Sequence, residues 1–149
     1  MPKIDLSAMP PTNATGYPSL YADVVSGRWV RRLAPAAGLS DFGASHVTLK
    51  PGAWSAQRHW HEDEDELVVM LSGEAVLVDD SGETVMRAGD VAAFPKGGGN
   101  GHCLRNDGDA DCVFVAIGRR ALGTCHYPDV DMHLPAGGAL TRKDGSTFD

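Results

Sequence analysis

Short apolar runs separated by glycine- and proline-bearing turns fill the middle of the chain, and both ends are irregular. The alternation predicts strands near Ser45–Leu49, Ala53–His61, Glu66–Leu71, Ala75–Asp79, Thr84–Arg87, Asp90–Phe94, His102–Asn106 and Cys112–Gly118. Turn chemistry divides them at Pro51-Gly52, Ser72-Gly73, Asp79-Asp80-Ser81-Gly82, Ala88-Gly89-Asp90 and Asp107-Gly108-Asp109. No long run carries the spacing of an amphipathic helix. The pattern is that of an all-β chain folded as a sandwich or small barrel.

The outer segments differ from this core. Residues 1–38 hold Pro2, Pro10, Pro11, Pro18 and Pro35, which forbid a long regular element. Tyr17, Leu20, Tyr21, Val24, Val25, Trp29 and Val30 make the segment too apolar for a disordered tail. An arm packed along the barrel is expected, with a short strand around Gly27–Leu33. Its arginines Arg28, Arg31 and Arg32 read as surface charges, with anion binding the less favoured role. Residues 119–149 form a second irregular segment that concentrates polar groups in Cys125–His133 and ends in a polar terminus with Phe148 as a possible anchor. A single domain over 1–149 is expected, with its barrel at 42–118. The run Leu67-Val68-Val69-Met70-Leu71 is apolar on both strand faces, so its outside needs a cover. The arm or a second copy of the chain would supply it, and a homodimer is expected.

Composition narrows the function classes. With 149 residues and a net charge of −7, the chain is a poor partner for nucleic acid. No stretch is apolar for long enough to cross a bilayer, and no apolar leader follows Met1-Pro2-Lys3, so a cytoplasmic protein is expected. Cys103, Cys112 and Cys125 are odd in number and lack C-x-x-C spacing, which suits reduced thiols.

Chemistry concentrates in two stretches. His59 and His61 are two apart, so on a strand their imidazoles share a face. The acidic run Glu62-Asp63-Glu64-Asp65-Glu66 follows. Imidazole and carboxylate are ligands of divalent transition ions. In the second stretch a strand ends at Phe94-Pro95, a glycine-rich loop turns the chain, and His102 opens the next strand as a candidate third imidazole. Asn106 shares a strand face with His102, and Gln57 shares one with His59 and His61. Both are candidate substrate-binding residues.

The motifs resemble those of the cupins. The first cupin motif reads here as Gly52, six residues, His59-Trp60-His61, four residues, Glu66, six residues and Gly73. The second reads as Gly89, five residues, Pro95-Lys96-Gly97, four residues, His102, three residues and Asn106. One extra residue precedes the first histidine, as a bulge would add, and two lengthen the glycine loop. The Arg-His-Trp-His, Asn-Gly-His and Tyr-Pro-Asp patterns resemble bacterial cupins, some of them described as sugar-phosphate isomerases. The resemblance implies a jelly-roll barrel and a metal site formed by His59, His61, Glu66 and His102. Glu66 is preferred because it alone keeps the spacing to Gly73, which leaves Glu62, Asp63, Glu64 and Asp65 as a solvated turn.

Such a ligand set suits one divalent ion among Fe, Mn, Ni, Co and Zn. The leading expectation is an isomerase-type metalloenzyme for a small sugar-like or hydroxy-carbonyl substrate, with an iron dioxygenase as a variant. Tyr127, His126 and Asp129 of the tail are the candidate catalytic residues if the tail closes the barrel mouth. A metal-dependent binding or sensor protein without turnover is the alternative, and a metal-free structural barrel is the least favoured.

Overall fold

The computed structural model describes residues 2–119 and 122–149. Among the described residues, eleven strands are antiparallel throughout: β1 (Arg28–Arg32), β2 (Gly43–Leu49), β3 (Trp60–His61), β4 (Glu66–Ser72), β5 (Glu74–Asp79), β6 (Gly82–Arg87), β7 (Val91–Phe94), β8 (Cys103–Arg105), β9 (Cys112–Gly118), β10 (Cys125–His126) and β11 (His133–Leu134). They form a five-stranded sheet in the order β1-β2-β9-β4-β7 and two three-stranded sheets, β6-β5-β8 and β11-β10-β3. This is the all-β barrel architecture that the alternation predicts.

Alternate residues fill one core. Val47 and Leu49 of β2, Val68 and Met70 of β4, and Cys112 and Phe114 of β9 point inward with Ala75, Met86 and Leu104. The tight β4–β5 turn depends on Gly73, whose φ is +72° and where a Cβ would stand 2.6 Å from the Asp111 carbonyl oxygen. A second cluster joins the two ends of the chain. Cys125, Tyr127 and Met132 are buried against Tyr17, Tyr21, Leu140 and Phe148. Phe148 does anchor the terminus, edge-on to Tyr21 and beneath the Arg142 guanidinium.

Around the barrel the structure departs from the sequence reading in three respects. The expected strand Ala53–His61 is interrupted. Trp54 bridges Arg105 and His59 bridges His102, so five steps along one side oppose three on the other. The surplus forms a bulge at residues 55–58, and only Trp60–His61 resumes as a strand. The arm does not cover the outside of β4. Its tyrosines pack on the C-terminal cluster instead, and Leu71 and Val91 remain 47% and 58% exposed. Asn106 is buried by backbone demands: its Nδ2 donates to the Leu49 and Ala110 carbonyls, and its Oδ1 accepts from Gly108. Among the described residues, no helix is long and apolar enough to cross a membrane.

Candidate metal centre

Glu66, the first residue of β4, lies amid three imidazoles. One carboxylate oxygen is 2.7 Å from His102 Nε2 and 3.9 Å from His59 Nε2; the other is 3.6 Å from His61 Nε2. Ligand atoms of His59, His61 and Glu66 all lie within 4.8 Å of one another, a group able to hold a metal ion. His102 belongs beside them, since its ring centroid is 4.9 Å from that of His59 and its Nε2 meets the same carboxylate. The bridge between His59 and His102 accounts for the meeting of residues so far apart in sequence.

Neighbours set the ring orientations. The Gln57 carbonyl oxygen is 2.8 Å from His59 Nδ1, which holds the proton there and turns the Nε2 lone pair to the centre. His102 has the Asn100 carbonyl at 3.4 Å on its Nδ1 side and the Phe94 ring stacked on its face at 3.6 Å. His61 Nδ1 is buried without a hydrogen-bond partner.

Burial and charge determine the protonation pattern. Burial drives His59 down to about 4, against the opposing pull of Glu66. For His61 burial also opposes the charge, but Cys125 and Glu66 outweigh it and push the group up to about 10. Burial works to raise Glu66, yet hydrogen bonds from His102 and His61 hold it well below the ordinary carboxylate range. Without a metal the Glu66 carboxylate therefore faces the His61 imidazolium, and that proton occupies the place a cation would take.

Glu64 was missed as part of the solvated turn. Its side chain is 15% exposed and its Oε2 is 3.4 Å from His61 Nε2, above the Cα of Gly118. Burial first, and then Glu66, raises it to about 7. Its place two residues before Glu66 was the available signal, since alternation puts 64 and 66 on one side.

The centre opens on a cavity of about 790 Å³ lined by His59, Glu64, Glu66 and His102 at one end. The tail candidates lie elsewhere, which corrects the expectation of a closing lid. β10 pairs with β3, placing His126 opposite Trp60, where the two rings stack at 4.2 Å and His126 Nε2 meets Glu62 at 2.8 Å on the surface. Tyr127 is 6.0 Å from the His59 ring but buried with Tyr17; burial, then Tyr17 and Cys125, raise its pKa and keep it a phenol, which cannot serve as a base. Asp129 accepts two hydrogen bonds of 2.7 Å from Arg58, whose guanidinium also binds Asp80 and the Gly101 carbonyl. Arg58 and Trp60 thus face away from the centre, as the alternation predicts. The Gln57 amide also turns away, donating to the Tyr21 carbonyl. Neither it, Asn106 nor any of the three tail residues lines the cavity.

Comparison with known proteins agrees with the fold. The cupin domain profile matches residues 45–118. A sugar phosphate isomerase of the cupin superfamily from Silicibacter pomeroyi superposes with a TM-score of 0.92 at 44% identity, covering 99% of this chain and 97% of that one. A candidate sugar phosphate isomerase from Acidithiobacillus ferrooxidans gives a TM-score of 0.69 at 28% identity, over 78% of this chain and 76% of that one. An oxalate-binding protein of Thermotoga maritima is 34% identical over 73 residues, which span 49% of this chain and 58% of that relative, little more than half its length. Profile, near full-length likeness and barrel architecture together place the chain in the cupin superfamily.

Proposed function

We propose that this cupin is a metal-dependent isomerase of small hydroxy-carbonyl compounds, sugar-like in character. The observation that carries the reading is the convergence of His59, His61, Glu66 and His102, three of which (His59, Glu66 and His102) line an open cavity. The likeness to the Silicibacter pomeroyi isomerase supports the reaction class. Three imidazoles and a carboxylate suit Fe, Mn, Ni, Co or Zn. When bound, such an ion supplies Lewis acidity toward a carbonyl. The remaining work falls to the chain's own side chains. Gln57 fixes the His59 tautomer through its carbonyl oxygen. Phe94 holds the His102 ring and shields it. Glu64, which faces the cavity, replaces the tail residues as the group positioned to take and return a proton.

The test is deuterium uptake at the carbon beside the carbonyl, followed by NMR in D2O with metal-loaded protein and a panel of aldoses, ketoses and hydroxy acids. Exchange that disappears in the double variant His59→Ala, His61→Ala supports the reading. Absence of exchange with every ion and compound overturns it. A second reading, binding without turnover, is favoured by the likeness to an oxalate-binding protein. It predicts saturable binding with no exchange.

The uncovered outer face of β4 supports one further part of the reading. Leu71 and Val91 are exposed there side by side with the half-buried Leu67 and Val69. A second copy of the chain is the proposed cover.

A further inference from the structure

β1 carries two arginines on its cavity side. Arg28, Val30 and Arg32 alternate toward the barrel and all line the cavity that holds the histidine–glutamate centre. Arg31, on the other face, donates from Nε to the Met9 carbonyl. Among the described residues neither Arg28 nor Arg32 pairs with a carboxylate, whereas Arg58, Arg87 and Arg105 all do.

Arg28 is held in a particular way. Its Nη1 donates to the Ser55 carbonyl at 2.7 Å, on the bulge that leads to His59. Its Nε is fully buried and has no hydrogen-bond partner. The guanidinium is thus anchored at one nitrogen, while the edge formed by Nε and Nη2 makes no hydrogen bond among the described residues. Nε itself is closed off, so an oxygen of a phosphate or carboxylate in the cavity would meet the guanidinium at Nη2. A buried donor left unpaired costs about 1–3 kcal/mol, so the Arg28 guanidinium is short of acceptors within the fold. Burial, with Arg32 nearby, lowers the Arg28 pKa, in keeping with a cation that has no anion beside it.

We infer that Arg28, assisted by Arg32, seats an anionic group, a phosphate monoester or a carboxylate, on the molecule whose other end meets the His59–His102 centre. The inference rests on the proposed function for what happens at that other end, but not for the anion seat itself. The cavity of about 790 Å³ holds both the cationic wall and the metal-type centre, so one small molecule can span them. It deepens the substrate class from a hydroxy-carbonyl compound to one bearing a negative charge. It takes up for Arg28 the anion-binding role that the sequence reading ranked second, while Arg32, at the end of β1, is exposed.

The test is calorimetric titration of wild type, Arg28→Lys, Arg28→Met and Arg87→Met with inorganic phosphate, a pentose phosphate, its parent pentose and a short hydroxy acid. Arg87, exposed and paired with Glu74, is the charge control. The expected result is that Arg28→Met loses about tenfold or more in affinity for the charged ligands, that Arg28→Lys loses less, and that Arg87→Met matches wild type. A stronger loss with the phosphate than with the hydroxy acid assigns the seat to a phosphate monoester, and the reverse assigns it to a carboxylate. Should Arg28→Met fail to fold, phenylglyoxal labelling of the wild-type protein replaces it. Bound phosphate must then slow modification at Arg28 and leave Arg87 unaffected. Equal affinity in wild type and Arg28→Met, equal binding of the phosphorylated and parent sugar, labelling unaffected by phosphate, or no binding of any anion would overturn the inference. Turnover of uncharged sugars that ignores Arg28 would leave the isomerase reading standing and remove this one. Anion binding that needs Arg28, without any turnover, would do the opposite.

Discussion

Replacing Glu66 by glutamine tests the centre most directly, because the variant keeps shape and removes charge. In the native chain the carboxylate stands 3.6 Å from His61 Nε2; a metal ion that replaced the His61 proton would meet the same negative charge, and at an effective dielectric of about 20 a unit pair at that separation attracts by about 4–5 kcal/mol. The carboxamide needs less desolvation and still presents one oxygen. A net loss of about 2–3 kcal/mol in metal binding follows, or roughly 30- to 150-fold in affinity. The proton provides an independent check. His61 is raised to about 10 in the metal-free protein, so at pH 8 it is an imidazolium, and a metal must expel its proton. Native affinity should therefore rise with pH, by about tenfold per unit, and level off as pH passes through the raised value. In Glu66→Gln one of the two groups that raise His61 is gone and Cys125 remains, so His61 falls below its native value and the rise of affinity with pH should level off earlier. The assay is calorimetry of metal binding at pH 8 in buffers of different ionisation enthalpy, which counts protons released. About one is expected for the native protein and fewer for the variant. Equal proton release, or unchanged affinity in the variant, would refute this account of the centre.

Other outcomes follow from the same geometry. The raised His61 stabilises the metal-free fold fully below about pH 6.5 and loses that effect as pH climbs through about 10, so the melting temperature of the apoprotein should fall over that interval while the metal-loaded protein changes less. Phe114→Ala, at a side chain 2% exposed in the core, should cost about 3–5 kcal/mol in denaturant unfolding; a loss below about 1 kcal/mol would mean the core repacks there. Cys103→Ser should keep full metal occupancy by plasma emission, because this buried thiol lies near Arg58 and Arg105, on the strand face opposite His102. Leu71→Asp with Val91→Asp should convert a dimer to monomer in analytical ultracentrifugation, and a monomeric native protein would dispose of the second-copy cover.

Local spacing revealed most of the centre before any fold was known. His59 and His61 announced themselves at two-residue spacing, and Glu66 and His102 by their place in the two motifs. The strands from Glu66 to Gly118 were legible as short apolar runs bounded by glycine and other turn residues. Ala53–His61 failed for a long-range reason: the surplus residues become a bulge only against a partner strand whose length the local pattern does not contain. Glu64 hid among like charges, where a solvated turn is the ordinary reading, and its burial depends on Gly118 from a distant strand. Polar density at Cys125–Asp129 suggested a mouth, yet pairing between β10 and β3 turned His126 to the surface and Asp129 into a clamp on Arg58. Arg28 looked like any charge in an arm because its missing partner is a property of three dimensions.

The sheet β11-β10-β3 has a practical consequence for where this protein can be cut. The stretch recognised as a cupin domain, 45–118, holds all four converging side chains. The strand bearing His61 nevertheless has Cys125–His126 as its lateral support, and Tyr17 donates no backbone but accepts the amide hydrogen of Gln57 just ahead of His59. A fragment trimmed to the recognised borders would keep every would-be ligand and lose the scaffolding that aims two of them. The working unit is the barrel together with both of its loose-looking ends, which act as buttresses rather than trimmings.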